Sequence, residues 1–202
     1  MLRLADCLPY LASDRKSTAR CVWLWCVGAA VVLAACSSGG GGDGGGGGAP
    51  PPATIEGSFI PTIATPPNNS VSLAQKTVQG DLITLNVMAK SLATSSSGAA
   101  FDVGFDPSAV NFIGFDAGTF YESNGTVNYQ VALQGGSNNR LVVGITQQAG
   151  PGATGSGKLM ELQFKVLAIG SSTLTFTNNN LTDPIGNLIP NVDWSGGTLT
   201  GS

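Results

Sequence analysis

Cys36 is the side chain with the most definite chemistry in this sequence. It ends the tetrapeptide Leu-Ala-Ala-Cys at residues 33–36, which closes an apolar run that begins at Val22. Small residues at positions 34 and 35 leave the backbone open to a signal peptidase, and the Cys36 thiol can then carry a thioether-linked diacylglycerol. The pattern predicts a lipoprotein signal peptide over residues 1–35 and lipidation at Cys36. The rest of the chain is then exported and anchored to a membrane.

A retained transmembrane helix is the competing interpretation of the same segment. The apolar run covers residues 22–35, which is shorter than the roughly 20 residues that a membrane-spanning helix needs. Arg15, Lys16 and Arg20 precede the run, as the basic region of a signal peptide does. Ser37 rather than aspartate follows the cysteine, so the resemblance to bacterial lipoproteins implies the outer membrane of a Gram-negative cell. The domain is then periplasmic or at the cell surface.

The sequence contains few of the side chains that catalysis commonly uses. The sequence has no histidine, and Cys7, Cys21 and Cys26 all lie in the predicted signal peptide. Ser-His-Asp and Cys-His catalysis and the usual zinc clusters are therefore excluded. A glycosidase based on two carboxylates stays open as an alternative, although no pair has a recognisable arrangement, and Asp106 and Asp183 precede prolines in turns that they can cap. We predict that the protein is not an enzyme and uses no cofactor.

Two segments raise the question of phosphate and metal binding. Residues 152–158 have the glycine and lysine spacing of a phosphate-binding loop, but Leu159 stands where that loop needs a hydroxyl group. The residues that follow alternate as in a strand, so we interpret the segment as a glycine-rich connection between strands. A calcium site built from turn carboxylates and the asparagines at 178–180 stays open, without the spacing of an EF-hand.

The charge balance excludes one class of partner. After Cys36 the sequence contains ten Asp and Glu residues against five Lys and Arg residues. Such a surface repels a phosphate backbone, so we predict that no nucleic acid binds.

β-Strands are the predicted elements that would position any functional site. Residues 36–53 are a tether rich in Gly and Pro, and residues 54–69 are a Pro-rich lead-in for which we predict no secondary structure. From residue 70 to 202 the apolar residues alternate with polar ones, and turn residues recur, which predicts an all-β domain of two stacked sheets with about nine strands and no helix. The predicted strands are 82–87, 99–105, 109–115, 127–134, 140–147, 158–167, 173–178 and 197–201. The predicted core between the sheets contains Phe101, Val103, Phe105, Leu162, Phe164 and Val166.

The outward residues of neighbouring strands give the candidate site. Alternation predicts that they project from the sheet as a flat polar face with little charge. This face is either a solvated sheet surface or the place where a partner binds. Its predicted residues are Asp102, Asn128, Gln130, Arg140, Thr146, Thr175 and Thr177.

Three segments carry a resemblance to a known family. Residues 98–110 read Gly-Ala-Ala-Phe-Asp-Val-Gly-Phe-Asp-Pro-Ser-Ala-Val, which resembles the strand signature of cohesin domains. Gly157 to Val166 resembles a later cohesin strand, and residues 183–199 resemble the closing hairpin. The resemblance implies a jelly-roll-like sandwich whose flat strand face binds a calcium-loaded dockerin. Gly98 and Ala100 occupy positions where many dockerin-binding cohesins present Asn and Asp, so a different protein or a polysaccharide stays open as the partner.

The sequence therefore predicts a lipid-anchored binding module that docks a protein partner, dockerin-like or other, outside the cytoplasm. The setting that the cohesin resemblance implies is polysaccharide degradation. A carbohydrate-binding module is the alternative, and it needs an exposed aromatic strip for which Tyr121, Tyr129 and Trp194 are the available residues. Tyr129 points inward by alternation, which counts against this alternative.

Overall fold

The computed structural model describes residues 54–202 apart from 135, 137 and 138. The predicted signal peptide, Cys36 and the tether lie outside the described residues. Among those described, no helix is both long enough and apolar enough to cross a membrane. The elements are β1 (Gly57–Pro61), β2 (Ser70–Gln79), β3 (Leu82–Ser96), β4 (Gly98–Gly104), β5 (Val110–Ala117), α1 (Thr119–Glu122), β6 (Val127–Gln134), β7 (Arg140–Gln147), β8 (Ala153–Val166), β9 (Gly170–Thr182), β10 (Asp193–Ser195) and β11 (Gly197–Gly201).

The strands form two sheets, which confirms the predicted all-β sandwich. The six-stranded sheet has the order β1-β11-β9-β4-β7-β6, and the five-stranded sheet has the order β10-β2-β3-β8-β5. Neighbouring strands are antiparallel except β10 and β2, which run parallel. Each strand therefore presents one row of side chains to the space between the sheets and the other row to the outside.

The core between the sheets follows the predicted alternation. Phe105 and Phe164, from opposite sheets, meet edge to face with their ring centroids 5.6 Å apart. The predicted core is confirmed, because all six residues are 7% exposed or less: Phe101, Val103, Phe105, Leu162, Phe164 and Val166. Burial of these large apolar side chains is the main source of stability in a domain without disulfides.

Three strands and one helical turn were not among the predicted elements. In β2 a register shift between Gln75 and Thr77 interrupts the alternation soon after it begins. β1 lies in the proline-rich lead-in, and β10 has only three residues. The prediction of no helix is wrong at α1, whose four residues are too few to show helical periodicity.

The helical turn fits because two glycines leave room for it. A Cβ atom on Gly157 of β8 would lie 2.6 Å from Cδ2 of Phe120, and one on Gly118 would lie 2.2 Å from the carbonyl oxygen of Lys158. Phe120 and Tyr121 are consequently buried against β8. These contacts hold α1, which connects β5 to β6 along the chain, against β8.

The lead-in crosses from one sheet to the other. β1 pairs with β11 in the six-stranded sheet, and the chain then passes over the outside of β2 and β3. The Ser70 hydroxyl donates to the carbonyl of Pro67 at 2.7 Å, and the Lys90 ammonium donates to the carbonyl of Pro66. We call residues 61–67 the strap. It covers Ser70 and Ser72, which are buried although they point away from the core.

Candidate partner-binding face

Four neighbouring strands bring the predicted face together in register. Across β4, β7 and β6, Gly98 lies opposite Thr146, which lies opposite Asn128; Ala100, Gly144 and Gln130 form the next row. On the other side of β4, the strand β9 continues these rows. Directly paired residues point to the same side of a sheet.

All seven predicted residues consequently share the outer side of the six-stranded sheet. We call this surface the outer face of β9-β4-β7-β6. Its four rows, given from β9 to β6, are Thr182-Gly98-Thr146-Asn128, Asn180-Ala100-Gly144-Gln130, Thr177-Asp102-Val142-Ala132 and Thr175-Gly104-Arg140-Gln134.

Asp102 is on this face but does not project from it as expected. It is only 6% exposed. The Asn178 side-chain amide donates to its Oδ2 at 2.7 Å, and the Arg140 guanidinium lies 3.5 Å from the same oxygen. The expectation of an exposed carboxylate is therefore wrong, because side chains from both neighbouring strands cover it.

A bulge in β9 places Asn178 over this carboxylate. Between the pairs Ala100–Asn180 and Asp102–Thr177, β9 contains one more residue than β4. Asn178 has a φ of 50°, a left-handed conformation that asparagine tolerates better than most residues. The extra residue also shifts the alternation, so that Asn180 and Thr182 join Thr175 and Thr177 on the outer face. Alternation along β9 alone could not have assigned these two residues to the outer face. Gln134 was not predicted either, although the alternation of β6 places it on the same side as Asn128 and Gln130.

Small residues form the middle of the outer face. Gly98, Ala100 and Gly104 lie on the central strand β4, and Gly144 lies beside them on β7. A Cβ atom on Gly144 would have its nearest neighbour 3.9 Å away, at Cβ of Gln130, so this position is open. Amide and hydroxyl side chains stand on both sides of these small residues. A flat surface of this kind can pack closely against another molecule and offers hydrogen bonds at its margins.

The aromatic residues of the carbohydrate-binding alternative do not lie on this face. Burial raises the pKa of Tyr121 to about 12, and its hydroxyl oxygen is 2.7 Å from that of Ser96. The Tyr129 hydroxyl points inward and bonds to the backbone N–H and carbonyl of Gly118. Trp194 packs against Phe101 and Phe176, with ring centroids 5.6 and 5.2 Å away. These contacts count against the carbohydrate-binding alternative, because Tyr121 is buried and Tyr129 and Trp194 are packed against the core, so the three residues do not form an exposed strip.

The turn carboxylates have the capping roles expected of them. The N–H and hydroxyl of Ser108 both donate to Asp106, and these bonds hold the pKa of Asp106 below its ordinary value. At Asp183, burial acts to raise the pKa, but hydrogen bonds from Asn187, Ile185 and Gly186 outweigh it and hold the pKa low. In the described part of the chain, no group of three or more His, Cys, Asp or Glu residues could hold a metal ion.

Glu161 lies on the opposite side of the molecule and is surrounded by lysines. Lys76 donates to its carboxylate at 2.7 Å, and Lys158 forms a second ion pair with it. Burial acts to raise the pKa of Glu161, but the hydrogen bonds and charges of Lys158 and Lys76 outweigh burial and hold the pKa below its ordinary value. The lysine of the glycine-rich segment is thus engaged in an ion pair. The interpretation of that segment as a connection between strands is wrong, because residues 153–158 are themselves the first part of strand β8, where they pair with β3.

Comparison with known proteins agrees with the geometry. The model of the family described as "Cohesin domain" matches residues 69–192. A type II cohesin domain from the cellulosome of Acetivibrio cellulolyticus is 17% identical with a TM-score of 0.54, and the alignment covers 65% of this chain and 95% of that one. CaCohA2 from Clostridium acetobutylicum, solved in solution, is 18% identical with a TM-score of 0.50, covering 64% and 90% of the two chains.

A third similar structure is that of a cohesin in a complex. CaCohA2, in a crystal structure of its complex with a variant of CaDoc0917, is 16% identical to this chain with a TM-score of 0.50, covering 62% of this chain and 95% of that one. At these identities the similarity establishes the fold. No match was found among curated proteins.

Proposed function

This chain belongs to the cohesin family, and from that premise we propose that it is a lipid-anchored, non-catalytic module that docks a protein partner through the outer face of β9-β4-β7-β6. The observation that carries the proposal is the register of these strands, which collects uncharged amide and hydroxyl side chains around small residues on one flat surface. The centres of protein interfaces are depleted in charged residues, as this face is.

We infer that the partner is a protein of the dockerin type. Dockerins are the partners that the cohesin resemblance implies, and the complex of CaCohA2 with the CaDoc0917 variant involves a domain of the same fold. Gly98, Ala100 and Gly144 leave the middle of the face without long side chains. We therefore expect the partner to fill this region with its own side chains and to hydrogen-bond with Asn128, Gln130 and Thr146 around it.

The proposal is tested by capture of dockerin-bearing proteins on the immobilised full-length chain. The variant Gln130→Arg places a long cation beside Gly144, so it should weaken capture by about tenfold or more, as loss at a central interface position does. Gln79→Arg is the matched control, because Gln79 is an exposed glutamine on β2 of the other sheet. Equal capture by both variants would reject the outer face as the docking surface.

The non-catalytic part of the proposal has its own readout. The full-length chain is incubated with a panel of polysaccharides, and reducing sugar is measured. We expect none to be released. Release of sugar would replace the binding module with the glycosidase alternative, and retention of the chain on a polysaccharide without hydrolysis would favour a carbohydrate-binding role.

The anchoring part of the proposal depends on Cys36. The sequence at residues 33–36 supports lipidation, and a coil of Gly and Pro as long as residues 36–53 reaches some 20 Å on average. Cys36→Ser should abolish incorporation of labelled palmitate and leave an unprocessed precursor. Cys26→Ser is the control within the predicted signal peptide. Equal labelling of both variants would contradict lipidation at Cys36, and fractionation of the wild-type cells tests the outer-membrane location.

A further inference from the structure

A cavity lies between the strap and the outside of the five-stranded sheet, and we call it the strap cavity. Its volume is about 350 Å³, and its lining is mostly apolar, with Ile63 and Ala64 from the strap and Met88 from β3. The polar side chains of the lining are those of Ser72, Gln75, Lys90 and Ser156. Ligand pockets are typically apolar with a few polar groups and about 300–1,000 Å³ in volume, so this cavity can hold a small ligand.

Lys90 has no carboxylate partner among the described residues. The structure describes five Lys and Arg residues, and the other four lie within ion-pair distance of an Asp or Glu: Lys76, Arg140, Lys158 and Lys165. The Lys90 ammonium instead donates to the carbonyl of Pro66, which also lines the cavity. An ammonium group has three N–H donors, so two remain for a ligand. The strap cavity therefore combines an apolar lining with a cation that the described residues do not neutralise.

A bulge in β3 lies at Lys90. Between the pairs that Ala89 and Leu92 form with β8, β3 has two residues, whereas β8 has only Ser156. Ala89 and Leu92 are both buried in the core, and Lys90 and Ser91 lie between them. Ser91 has a φ of 47°, which is uncommon for serine, and its N–H donates to the Ser156 hydroxyl at 2.8 Å. Bulges and strained residues of this kind recur at binding sites, and this one places Ser156 across the strand pair from Lys90.

We propose that the strap cavity binds a small carboxylic acid with an apolar body, in its ionised form. The carboxylate accepts hydrogen bonds from the two free N–H groups of Lys90 and from the Ser156 hydroxyl, which can donate although it already accepts a bond. The apolar body fills the space between Met88 and the strap, where it is removed from water.

The lining favours this ligand over a fully polar or a fully apolar one. A sugar carries hydroxyl groups on all sides, and burial of these groups against Ile63, Ala64 and Met88 would leave them without partners. A neutral hydrocarbon would fill the cavity but leave the charge of Lys90 without an anion. An apolar body with one charged end matches both parts of the cavity.

The test uses sodium octanoate and sodium hydrocinnamate as probes on the full-length chain, with NMR signals from its methionine methyl groups. Met88 lines the cavity, whereas Met160 is fully buried in the core and serves as an internal reference. We expect a saturable shift of the Met88 signal with at least one of the acids and no shift of the Met160 signal. The acid that binds more tightly identifies the apolar body as a chain or a ring. No saturable shift with either acid would overturn the proposal.

Variants of Lys90 test the charged end of the site. Octanol has the same chain as octanoate without the charge, so it should bind about tenfold or more weakly. Lys90→Met keeps an apolar stem and removes the charge, so it should weaken binding of octanoate by a similar factor and leave binding of octanol unchanged. The octanol result shows whether the cavity still forms in this variant. Lys90→Arg keeps the charge and should still bind octanoate.

Lys165→Met is the matched control, because Lys165 lies on the outside of the same sheet, where it pairs with Asp81, and does not line the cavity. It should bind octanoate as the wild type does. Equal affinities of Lys90→Met and Lys165→Met for octanoate would contradict the proposal.

This site lies on the opposite sheet from the proposed docking surface. Gln130→Arg, which should weaken capture of the partner, should leave binding of octanoate unchanged, and Lys90→Met should leave capture of the partner unchanged. The two proposals can thus fail independently.

Discussion

The two sheets of this sandwich have outer surfaces of opposite character. The outer face of β9-β4-β7-β6 presents amides, hydroxyls and small residues, with the pair of Asp102 and Arg140 as the ion pair that its described residues form. The outside of the five-stranded sheet carries every lysine that the structure describes: Lys76, Lys90, Lys158 and Lys165. These lysines bond to Glu161, to Asp81 and to the carbonyl of Pro66.

The difference indicates which surface is available to a partner. The charged groups of the five-stranded sheet pair with one another, as Lys76 and Lys158 do with Glu161 and Lys165 does with Asp81, and the strap covers part of this sheet. The six-stranded sheet leaves exposed amides and hydroxyls with spare hydrogen-bonding capacity, which water or another molecule can use. Both sheets pack on the same core. Substitutions in the core, on the outer face of β9-β4-β7-β6 and on the outside of the five-stranded sheet therefore test the comparison.

The largest effect is expected at the core that both surfaces share. Phe164→Ala removes a fully buried ring that contacts Phe105 and Phe112, and it should lower the free energy of unfolding by about 3–5 kcal/mol. Chemical denaturation measures this change. Ile185→Ala, at a side chain that is 85% exposed, is the control. A loss below about 1 kcal/mol for Phe164→Ala would contradict its place in the core.

An intermediate effect is expected on the outer face, at Asp102. Because this carboxylate is buried, Asp102→Ala leaves the amide of Asn178 and the guanidinium of Arg140 without their acceptor, and stability should fall by about 1–3 kcal/mol. Thr177→Ala, at the neighbouring exposed position of β9, should change little. If the two substitutions cost the same in thermal denaturation, Asp102 is a surface carboxylate after all. Partner capture measured on the same variants separates a loss of stability from a loss of binding.

The smallest effect is expected on the charged surface, at Glu161. Glu161→Gln keeps the volume and a hydrogen-bond acceptor of this buried side chain and removes only its charge, and its lysine partners are partly exposed to solvent. The substitution should therefore lower the free energy of unfolding by only about 1 kcal/mol. The lowered pKa of Glu161 also fixes the direction of the pH dependence. The contribution of this carboxylate is complete above its ordinary pKa and is lost as the pH falls through its lowered value in the folded state.

Denaturation from neutral pH downwards checks this sign. The difference in unfolding free energy between wild type and Glu161→Gln should shrink as the pH falls through the acidic range. Gln79→Ala, at an exposed glutamine of the same sheet, removes no titrating group, so its effect on stability should not change with pH. A difference that grows in acid would contradict the lowered pKa.

Alternation predicted the parts of the fold in which each strand has one buried and one exposed side. The bounds predicted for 127–134, 140–147 and 197–201 agree with β6, β7 and β11. The same alternation assigned the predicted outward residues to one side of the sheet. What alternation cannot predict is how far a neighbouring side chain reaches, and for this reason the burial of Asp102 beneath Asn178 and Arg140 was missed.

The remaining errors have a similar physical origin. A bulge adds one residue and reverses the phase of everything after it, so Asn180 and Thr182 could not be assigned from Thr175 and Thr177. Strand β1 pairs with β11, which is more than a hundred residues away in the sequence. The local pattern of a proline-rich segment could not predict that strand, because the pairing depends on a distant part of the chain. Long-range pairing of this kind is visible only in three dimensions.

The strap and β1 also determine where this domain can be cut. The family match begins at residue 69, and a fragment designed to that limit would lack β1 and residues 61–67. It would expose the free edge of β11 and uncover Ser70 and Ser72 together with the apolar cavity between the strap and β3, to which Met88 contributes. An unprotected edge beside an apolar patch promotes aggregation. Recombinant fragments for crystals or binding assays should therefore begin before Gly57, and a poorly soluble shorter fragment would reflect the choice of boundary rather than the quality of the fold.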